Sequence, residues 1–355
     1  MMTRLLTALL GGLLATAALA ATAFAADSFP ICVYPAPVAK AAPKLDGVLD
    51  DACWKDAPVV SGFVYYNNAD KAPVQTSFRV IYDAERLYFG IFCDEPRLDL
   101  LTPKSCPRDS MEVFQAEAIE LFIEPKHGDA DYYQVAANAA GSVYDSHRTE
   151  SVWDTGAEAA AKVQTGGWGL EVAIPWKGLG VTAPKPGMDL GFNVCRDRTL
   201  DNARQWTCWA QVAANFHDPA HFANLVLSPT PEQLGAMGDE FRRGERTGPL
   251  LIFSTEGFSQ TSYKSLALTS LDSIEKLVGE LDGIAKAEPD PAAKAEISKR
   301  LEPIRALTAA ARKQAEAGEV DGAAWARMDA NLSKTARDLG DVVWEARLAA
   351  LLGGV

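Results

Sequence analysis

The sequence has little positive charge. Its 355 residues contain 34 Lys and Arg against 47 Asp and Glu, which gives a formal net charge of −13. The phosphate backbone of a nucleic acid would meet repulsion instead of a basic surface that displaces counterions. The acidic balance also disfavours anionic membrane surfaces. We therefore exclude nucleic acid as a favoured partner.

Long hydrophobic runs are absent after residue 25. A membrane-spanning helix needs roughly 20 apolar residues, so we expect no membrane insertion. The first 25 residues differ, because they combine Arg4, an apolar run and a small-x-small ending at residues 23–25. This pattern predicts a cleavable signal peptide over residues 1–25 and an exported protein that is periplasmic or extracellular.

Motifs for catalysis are also missing. The chain has four histidines, and no Ser or Cys lies in a recognisable nucleophile elbow. Glu117, Glu120 and Glu124 follow one predicted strand, but an acidic solvent edge or a calcium site explains them better than a glycosidase pair. We therefore predict that the protein is not itself an enzyme.

Cysteines occur in an even number without any CxxC spacing, which favours disulfides over a structural zinc site in an exported chain. Cys195 and Cys208 flank a turn-like segment and are candidates for a bridge across a hairpin. The local pairing that we predict is Cys32–Cys53, Cys93–Cys106 and Cys195–Cys208.

Two weaker ligand sets remain. Asp129 and Asp131 alternate in a turn and offer oxygen ligands that suit calcium, although a solvated turn also explains them. Apart from this possible calcium, we expect no cofactor. Haem binding for electron transfer is an alternative function, and it would draw on Met111, Met188, His217 and His221, although no CxxCH motif is present.

The chain has two parts with different sequence patterns. From residue 26 to 228, short apolar runs alternate with turn residues, as residues 74–82 and 87–93 do around a four-residue link. We predict a mostly β, antiparallel, jelly-roll-like sandwich there and a connecting segment over residues 229–260. Residues 261–355 are rich in Ala, Leu, Lys and Glu with apolar stripes at helical spacing, which predicts an all-α three-helix bundle.

Within the first part, several phrases occur in a characteristic order: LDGVLDDACW, YDAERLYFGIFCDEP, EAIELFIEP, GGWGLEVAIPWKGLG, GMDLGFNVCRDR and DPAHFANLVL. Together they resemble the family 9 carbohydrate-binding module over about residues 42–227. The resemblance implies a non-catalytic β sandwich that binds a glycan or oligosaccharide, and an accessory role beside glycoside hydrolases. The helical part resembles no family that we identify.

The resemblance also implies a set of site residues. Two family tryptophans that sandwich a sugar fall on Phe114 and Phe216, and the family's acidic position is kept as Glu120. The family's arginine falls on Gln134, and its glutamine falls on Cys195. We expect Phe114 and Phe216 to stack on a sugar while Glu120 and Gln134 bind its hydroxyls. An alternative is a structural adaptor that acts through a protein partner at the helical region.

Overall fold

The computed structural model describes residues 29–148, 150, 152–202, 204–234, 237, 248–316 and 322–352. The predicted signal peptide over residues 1–25 lies outside this range. The chain divides into two compact units. The β unit contains Phe29–Gly238 and Leu250–Gln260, and the helical unit contains Thr261–Val355. Residues 250–260, which the sequence placed in a connecting segment, therefore belong to the β unit.

The described residues of the β unit form fourteen strands. Their bounds are β1 Ile31–Ala36, β2 Val64–Tyr65, β3 Thr76–Tyr82, β4 Arg86–Asp94, β5 Ala118–Glu124, β6 Tyr133–Asn138, β7 Val143–His147, β8 Glu158–Gln164, β9 Gly167–Pro175, β10 Asp189–Arg198, β11 Gln205–Cys208, β12 Ala223–Leu227, β13 Leu250–Ser254 and β14 Gly257–Thr261.

Two sheets make the predicted sandwich. The larger sheet has the order β14-β13-β1-β12-β10-β5-β6-β7, with β11 beside β10 and β2 beside β11. The smaller sheet has the order β3-β4-β9-β8. The larger sheet is mixed and not purely antiparallel, because β1 pairs in parallel with β12 and with β13. A parallel pair needs a long crossover, and here most of the sandwich lies in the chain between β1 and β12.

The core fills the space between the sheets. Alternation along β5 directs Ile119, Leu121 and Ile123 into this core, and Phe89 of β4 and Phe192 of β10 join them with no exposed surface. The residues between them on β5 point to the opposite face of the larger sheet. That outer face is where the candidate site lies.

A buried carboxylate binds the segment LDGVLDDACW, residues 45–54, with which the family resemblance begins. Glu171 on β9 accepts hydrogen bonds from the backbone N–H groups of Asp46 and Gly47 at 2.9 and 3.0 Å, and from Trp54 Nε1 at 3.1 Å. Burial raises the pKa of Glu171, while these three donors act against that shift. Glu171 therefore fixes the turn that precedes the first short helix against the smaller sheet.

A charged network lies inside the sandwich at one end. Arg198 donates two hydrogen bonds to Glu95, at 2.9 and 2.8 Å. Arg196 contacts Glu95 at 3.2 Å and Glu117 at 3.4 Å, and Glu117 also accepts from Thr199. Two arginines thus balance two carboxylates out of water, as buried charges require.

The predicted acidic solvent edge on β5 is wrong. Glu117, Glu120 and Glu124 are all buried, with 3%, 6% and 0% of their surface exposed. Each has a different environment: Glu117 joins the arginine network, Glu120 faces the outer side of the sheet, and Glu124 accepts from the N–H groups of Gly128 and Ala130. Such specific partners explain why three acids tolerate burial on one strand.

The helical unit contains three long helices, α1 Tyr263–Ala287, α2 Pro291–Glu316 and α3 Gly322–Leu352. The predicted stripe is buried, as Ile274, Leu281 and Leu332 illustrate. Asp290 precedes Pro291 in the sequence, a pattern that favours a helix N-cap, and its Oδ1 accepts from the N–H of Ala292 in the first turn of α2. Among the described helices, none is long and apolar enough to cross a membrane.

Ion pairs show how the helices run. Arg305 and Arg312 of α2 reach Asp282 and Glu275 of α1, so the pairing order reverses between these two helices. Helix α2 is therefore antiparallel to α1. The sequence also offers Gly318 as a C-terminal cap of the middle helix and Asp321 as a cap of the last helix, and both residues lie outside the described range.

Candidate functional site

The outer face of the larger sheet carries a cleft of about 560 Å³. It lies where β5, β6, β7, β10 and β11 run side by side. The residues that line it are Tyr66, Met111, Phe114, Glu120, Gln134, Tyr144, Ser146, Arg148, Asp197, Arg204, Trp206, Ala214, Asn215, Phe216 and His217.

Strand register explains why these residues meet. Asp197 on β10 lies directly opposite Trp206 on β11. Two residues earlier on β10, Cys195 lies opposite Glu120 of β5. On the next two strands, Gln134 of β6 lies opposite Ser146 of β7. Because side chains alternate along each strand, all of these point to the same outer face.

The floor of the cleft is acidic and buried. Glu120 and Asp197 are 6% and 4% exposed, and their carboxyl groups are hydrogen bonded to one another. Gln134 Nε2 donates a further hydrogen bond to Glu120 Oε2. Apart from the contact with Glu120, Oδ1 of Asp197 is buried and has no hydrogen-bond partner among the described residues.

Burial also changes the protonation of this pair. It raises the pKa of Glu120 well above the usual range, with a further increase from the neighbouring charge of Asp197. Burial raises the pKa of Asp197 to about 6, against the lowering effect of its hydrogen bond to Glu120. At neutral pH the pair therefore retains one proton and carries one negative charge.

Aromatic rings form the walls. Phe114 contacts Tyr144 edge to face, with 4.9 Å between ring centroids. Phe216 contacts Tyr66 at 5.9 Å, and Tyr66 contacts Trp206 at 6.0 Å. Phe216 is only 8% exposed, whereas Trp206 is 38% exposed. Trp206 therefore offers the more accessible ring face.

All four predicted glycan-binding residues line this one cleft: Phe114, Phe216, Glu120 and Gln134. Sequence reasoning missed Asp197 and Trp206. The signal was the predicted hairpin itself, since pairing Cys195 with Cys208 also places Asp197 opposite Trp206.

The structure forms none of the three predicted disulfides. Cys32 and Cys53 belong to different hydrophobic clusters, as do Cys93 and Cys106. Cys195 and Cys208 are in register below the cleft, so a bridge between them stays a prediction. Burial raises the pKa of Cys208 to about 12, which keeps that thiol protonated.

The two acids proposed for calcium have protein partners. Asp131 pairs with Nε2 of His147 at 2.7 Å, and Asp129 lies 3.7 Å from the ammonium of Lys126. Within the described part of the chain, no group of three or more His, Cys, Asp or Glu side chains is arranged to hold a metal ion. The structure therefore gives no support to the calcium prediction at Asp129 and Asp131.

The candidate haem ligands are divided between two places. Met111 and His217 line the cleft. Met188 packs against the core, and His221 pairs with Asp218 at 2.7 Å. His217 also shares a hydrogen bond with the hydroxyl of Tyr132 at 3.0 Å.

Comparison with known proteins gives one family match. The model of a family described as carbohydrate family 9 binding domain-like matches residues 45–230, about half of the chain. The chain is also similar to endo-1,4-beta-xylanase A of Thermotoga neapolitana, with 25% identity over 193 residues. The similar part covers 52% of this chain and 17% of the xylanase, so the chain spans under a fifth of that relative.

Two solved structures are similar to the β unit. A family 9 carbohydrate binding module from Caldicellulosiruptor kristjanssonii in complex with cellotriose has a TM-score of 0.43 and 16% identity, covering 57% of this chain and 95% of that one. A putative carbohydrate-binding protein from Bacteroides uniformis has a TM-score of 0.43 and 15% identity, covering 57% of this chain and 100% of that one.

Proposed function

Because the chain belongs to the carbohydrate family 9 binding domain-like family, we propose that its cleft binds a glycan without converting it. One observation carries this proposal: the sheet register collects Phe114, Phe216, Glu120 and Gln134 in a single cleft. These are the four positions that the sequence resemblance implied for sugar binding.

The cleft has the two components that sugar recognition needs. Ring faces pack on the C–H faces of a sugar, and a few polar groups fix its orientation. Trp206 and Phe114 supply accessible aromatic surface, and the carboxylates with Gln134 accept and donate hydrogen bonds. Phe114 and Phe216 stand where the family has tryptophans, and their rings offer smaller stacking faces. We infer that Trp206 supplies part of the aromatic surface that is missing.

The acid pair supports a binding role over hydrolysis. A retaining glycosidase holds its two carboxyl groups about 5–5.5 Å apart, and an inverting enzyme holds them farther apart. Here Glu120 and Asp197 are hydrogen bonded to one another. A direct hydrogen bond holds two carboxyl groups closer together than either arrangement.

We further propose that residues 1–25 direct export, so that the cleft meets glycans outside the cytoplasm. In this proposal the helical unit acts as a spacer or docks a protein partner. Sequencing the N-terminus of protein from the cell envelope tests the first statement, and an uncleaved N-terminus would contradict it.

Titration calorimetry tests the glycan proposal. The full-length mature chain is titrated with glucose, cellotriose and xylotriose, and then Trp206→Ala and Phe114→Ala are compared with it. We expect each substitution to weaken binding by more than about 1 kcal/mol, as truncation of a hot-spot aromatic does. Phe114→Trp should hold or improve affinity because its stacking face is larger.

Trp153→Ala is the matched control. Trp153 is also 38% exposed and lies in the β unit, but it does not line the cleft. Its substitution should leave affinity unchanged. Phe216→Ala is expected to lower stability by about 3–5 kcal/mol as well as affinity, since its ring also packs in a buried cluster. Unaltered affinity in the Trp206 and Phe114 variants would contradict the proposed site.

The alternatives have their own readouts. Met111 and His217 both line the cleft, so an absorption spectrum with a Soret band in the purified protein would favour haem binding. Failure to bind any glycan, together with capture of a partner by the helical unit, would favour the structural adaptor.

A further inference from the structure

We propose that Asp197 and Glu120 act together to select an amino sugar, with its protonated amine, over the corresponding neutral sugar. The inference rests on the proposed glycan-binding function and names the class of ligand. Asp197 is the new element, because neither the family resemblance nor the sequence pattern assigned it a role.

The first observation is an unpartnered acceptor in a built site. Asp197 is buried, with 4% of its surface exposed, and it lines the cleft. Apart from the contact with Glu120, its Oδ1 has no hydrogen-bond partner among the described residues. A buried polar atom without a partner is costly, so such atoms in proteins usually meet a ligand or water. A hydrogen-bond donor from a ligand would remove that cost.

The second observation is the charge of the floor. A hydrogen bond between two carboxyl groups requires one proton, so the Glu120–Asp197 pair carries one negative charge. Gln134, which donates to Glu120, is neutral. In the described part of the cleft the two cations, Arg148 and Arg204, are exposed at the rim, and Arg204 acts on Asp197 through its charge alone.

The floor therefore holds a buried charge without a bonded cation. A sugar hydroxyl would satisfy the hydrogen bond of Oδ1 but leave this charge uncompensated. A protonated amine would supply both the donor and the opposite charge, and charge-assisted hydrogen bonds are roughly twice as strong as neutral ones. A uronic acid would instead bring a second negative charge to the floor.

The neighbouring ring strengthens the same preference. Trp206 lies directly opposite Asp197 in the β10–β11 pair, and its ring is exposed to the cleft. A cation over an indole face is attracted by the ring's electron density. An amine at Asp197 would thus contact a carboxylate and lie beside an aromatic ring.

The preference should depend on the ionisation of Asp197. The groups that face it are Glu120 from β5, Trp206 from β11, and the exposed Arg204, with the charge of Glu117 acting from the other side. Acidification that protonates Asp197 removes the charge that an amine would neutralise. The amine preference should therefore fall as the pH drops below about 6.

Calorimetry with three matched disaccharides tests the inference: β-1,4-linked glucosamine disaccharide, its N,N′-diacetyl form, and cellobiose. At about pH 6.5 the wild-type chain should bind the free amine about tenfold or more tightly than cellobiose, and the acetylated form should lose that advantage. Asp197→Asn should bring the amine to within about twofold of cellobiose. Asp129→Asn, an acid outside the cleft, should leave the preference unchanged.

The outcomes separate the two proposals. Equal or tighter binding of cellobiose by the wild-type chain would overturn the amine preference while the glycan function stands. No binding of any disaccharide, nor of glucose or cellotriose, would overturn the proposed function itself. If Asp197→Asn unfolds, the pH series on the wild-type chain decides, because a preference that does not fall on acidification would contradict the role of Asp197.

Discussion

In the β unit the arginines of the charged network are buried among carboxylates, whereas in the helical unit they lie along the surface between neighbouring helices. Arg196 and Glu95 are 1% and 0% exposed at their side chains. Arg312 and Asp272 are 35% and 68% exposed. The buried network forms only when strands that are far apart in the sequence bring their charged side chains together. A surface pair forms wherever two neighbouring helices place opposite charges side by side. This difference predicts that a substitution in the buried network costs more stability than one in the surface pairs.

The largest effect that we predict is the loss of the β unit's fold when its last two strands are removed. A chain that ends at residue 228 lacks β13, which pairs with β1, and Phe253, whose ring lies 5.2 Å from that of Trp209. We expect this chain to aggregate, because the edge of β1 and part of the core would be exposed. A chain that ends at residue 261 should remain soluble and show cooperative melting.

This pair of truncations also sharpens the comparison between the units. If the chain ending at residue 261 folds, the helical unit is not needed for the sandwich. A soluble, cooperatively folded chain ending at residue 228 would show that β13 and β14 contribute little, which would contradict the assignment of residues 250–260 to the β unit.

The next effect concerns the buried network. Glu95→Ala should lower the free energy of unfolding by about 3–5 kcal/mol, because Arg198 loses both of its hydrogen bonds to Glu95 and Arg196 keeps only Glu117. Arg312→Ala in the helical unit is the matched control and should cost no more than about 1 kcal/mol, as exposed pairs do. Urea denaturation of the full chain measures both, and equal losses would contradict the contrast between the units.

A smaller effect is the pH dependence that Asp197 imposes on stability. Its pKa is raised to about 6 in the folded protein, so the folded state retains a proton that the unfolded state has released. The free energy of unfolding should therefore fall as the pH rises from about 4 to about 6, by roughly 3 kcal/mol from this group. Denaturation at a series of pH values should show this slope.

Asp197→Asn removes the titration of Asp197 and the part of the Glu120 shift that the charge of Asp197 causes, while other buried acids such as Glu171 remain. The variant should have a flatter pH profile than the wild-type chain. Parallel profiles would show that Asp197 is ionised normally in the folded state. That result would also weaken the proposed charge on the floor of the cleft.

Much of the local structure was readable from the sequence. Alternation predicted the β3–β4 pair, which the register from Thr76 with Cys93 to Tyr82 with Leu87 confirms. Helical spacing predicted the buried stripes of α1 and α3. Both signals are local, since the period of side-chain directions follows from backbone geometry alone.

The sequence predicted only part of the candidate site. The resemblance pointed to Phe114, Phe216, Glu120 and Gln134, and the structure brings them into one cleft. Asp197 escaped because the strand pairing that brings it to Glu120 cannot be seen in the local sequence. Its role depends on the contact with Glu120, which lies 77 residues earlier in the sequence.

The sequence by itself determined the acidic net charge, the division into a β part and a helical part, the periodicity of strands and helices, and the segments that resemble the family. Only the tertiary structure decided that β1 lies between β12 and β13 in parallel, that residues 250–260 complete the sandwich, and that Asp197 meets Glu120 beside Trp206. The reason is physical. Periodicity follows from the geometry of each residue, but strand order and register depend on packing energies summed over residues that are far apart in the chain.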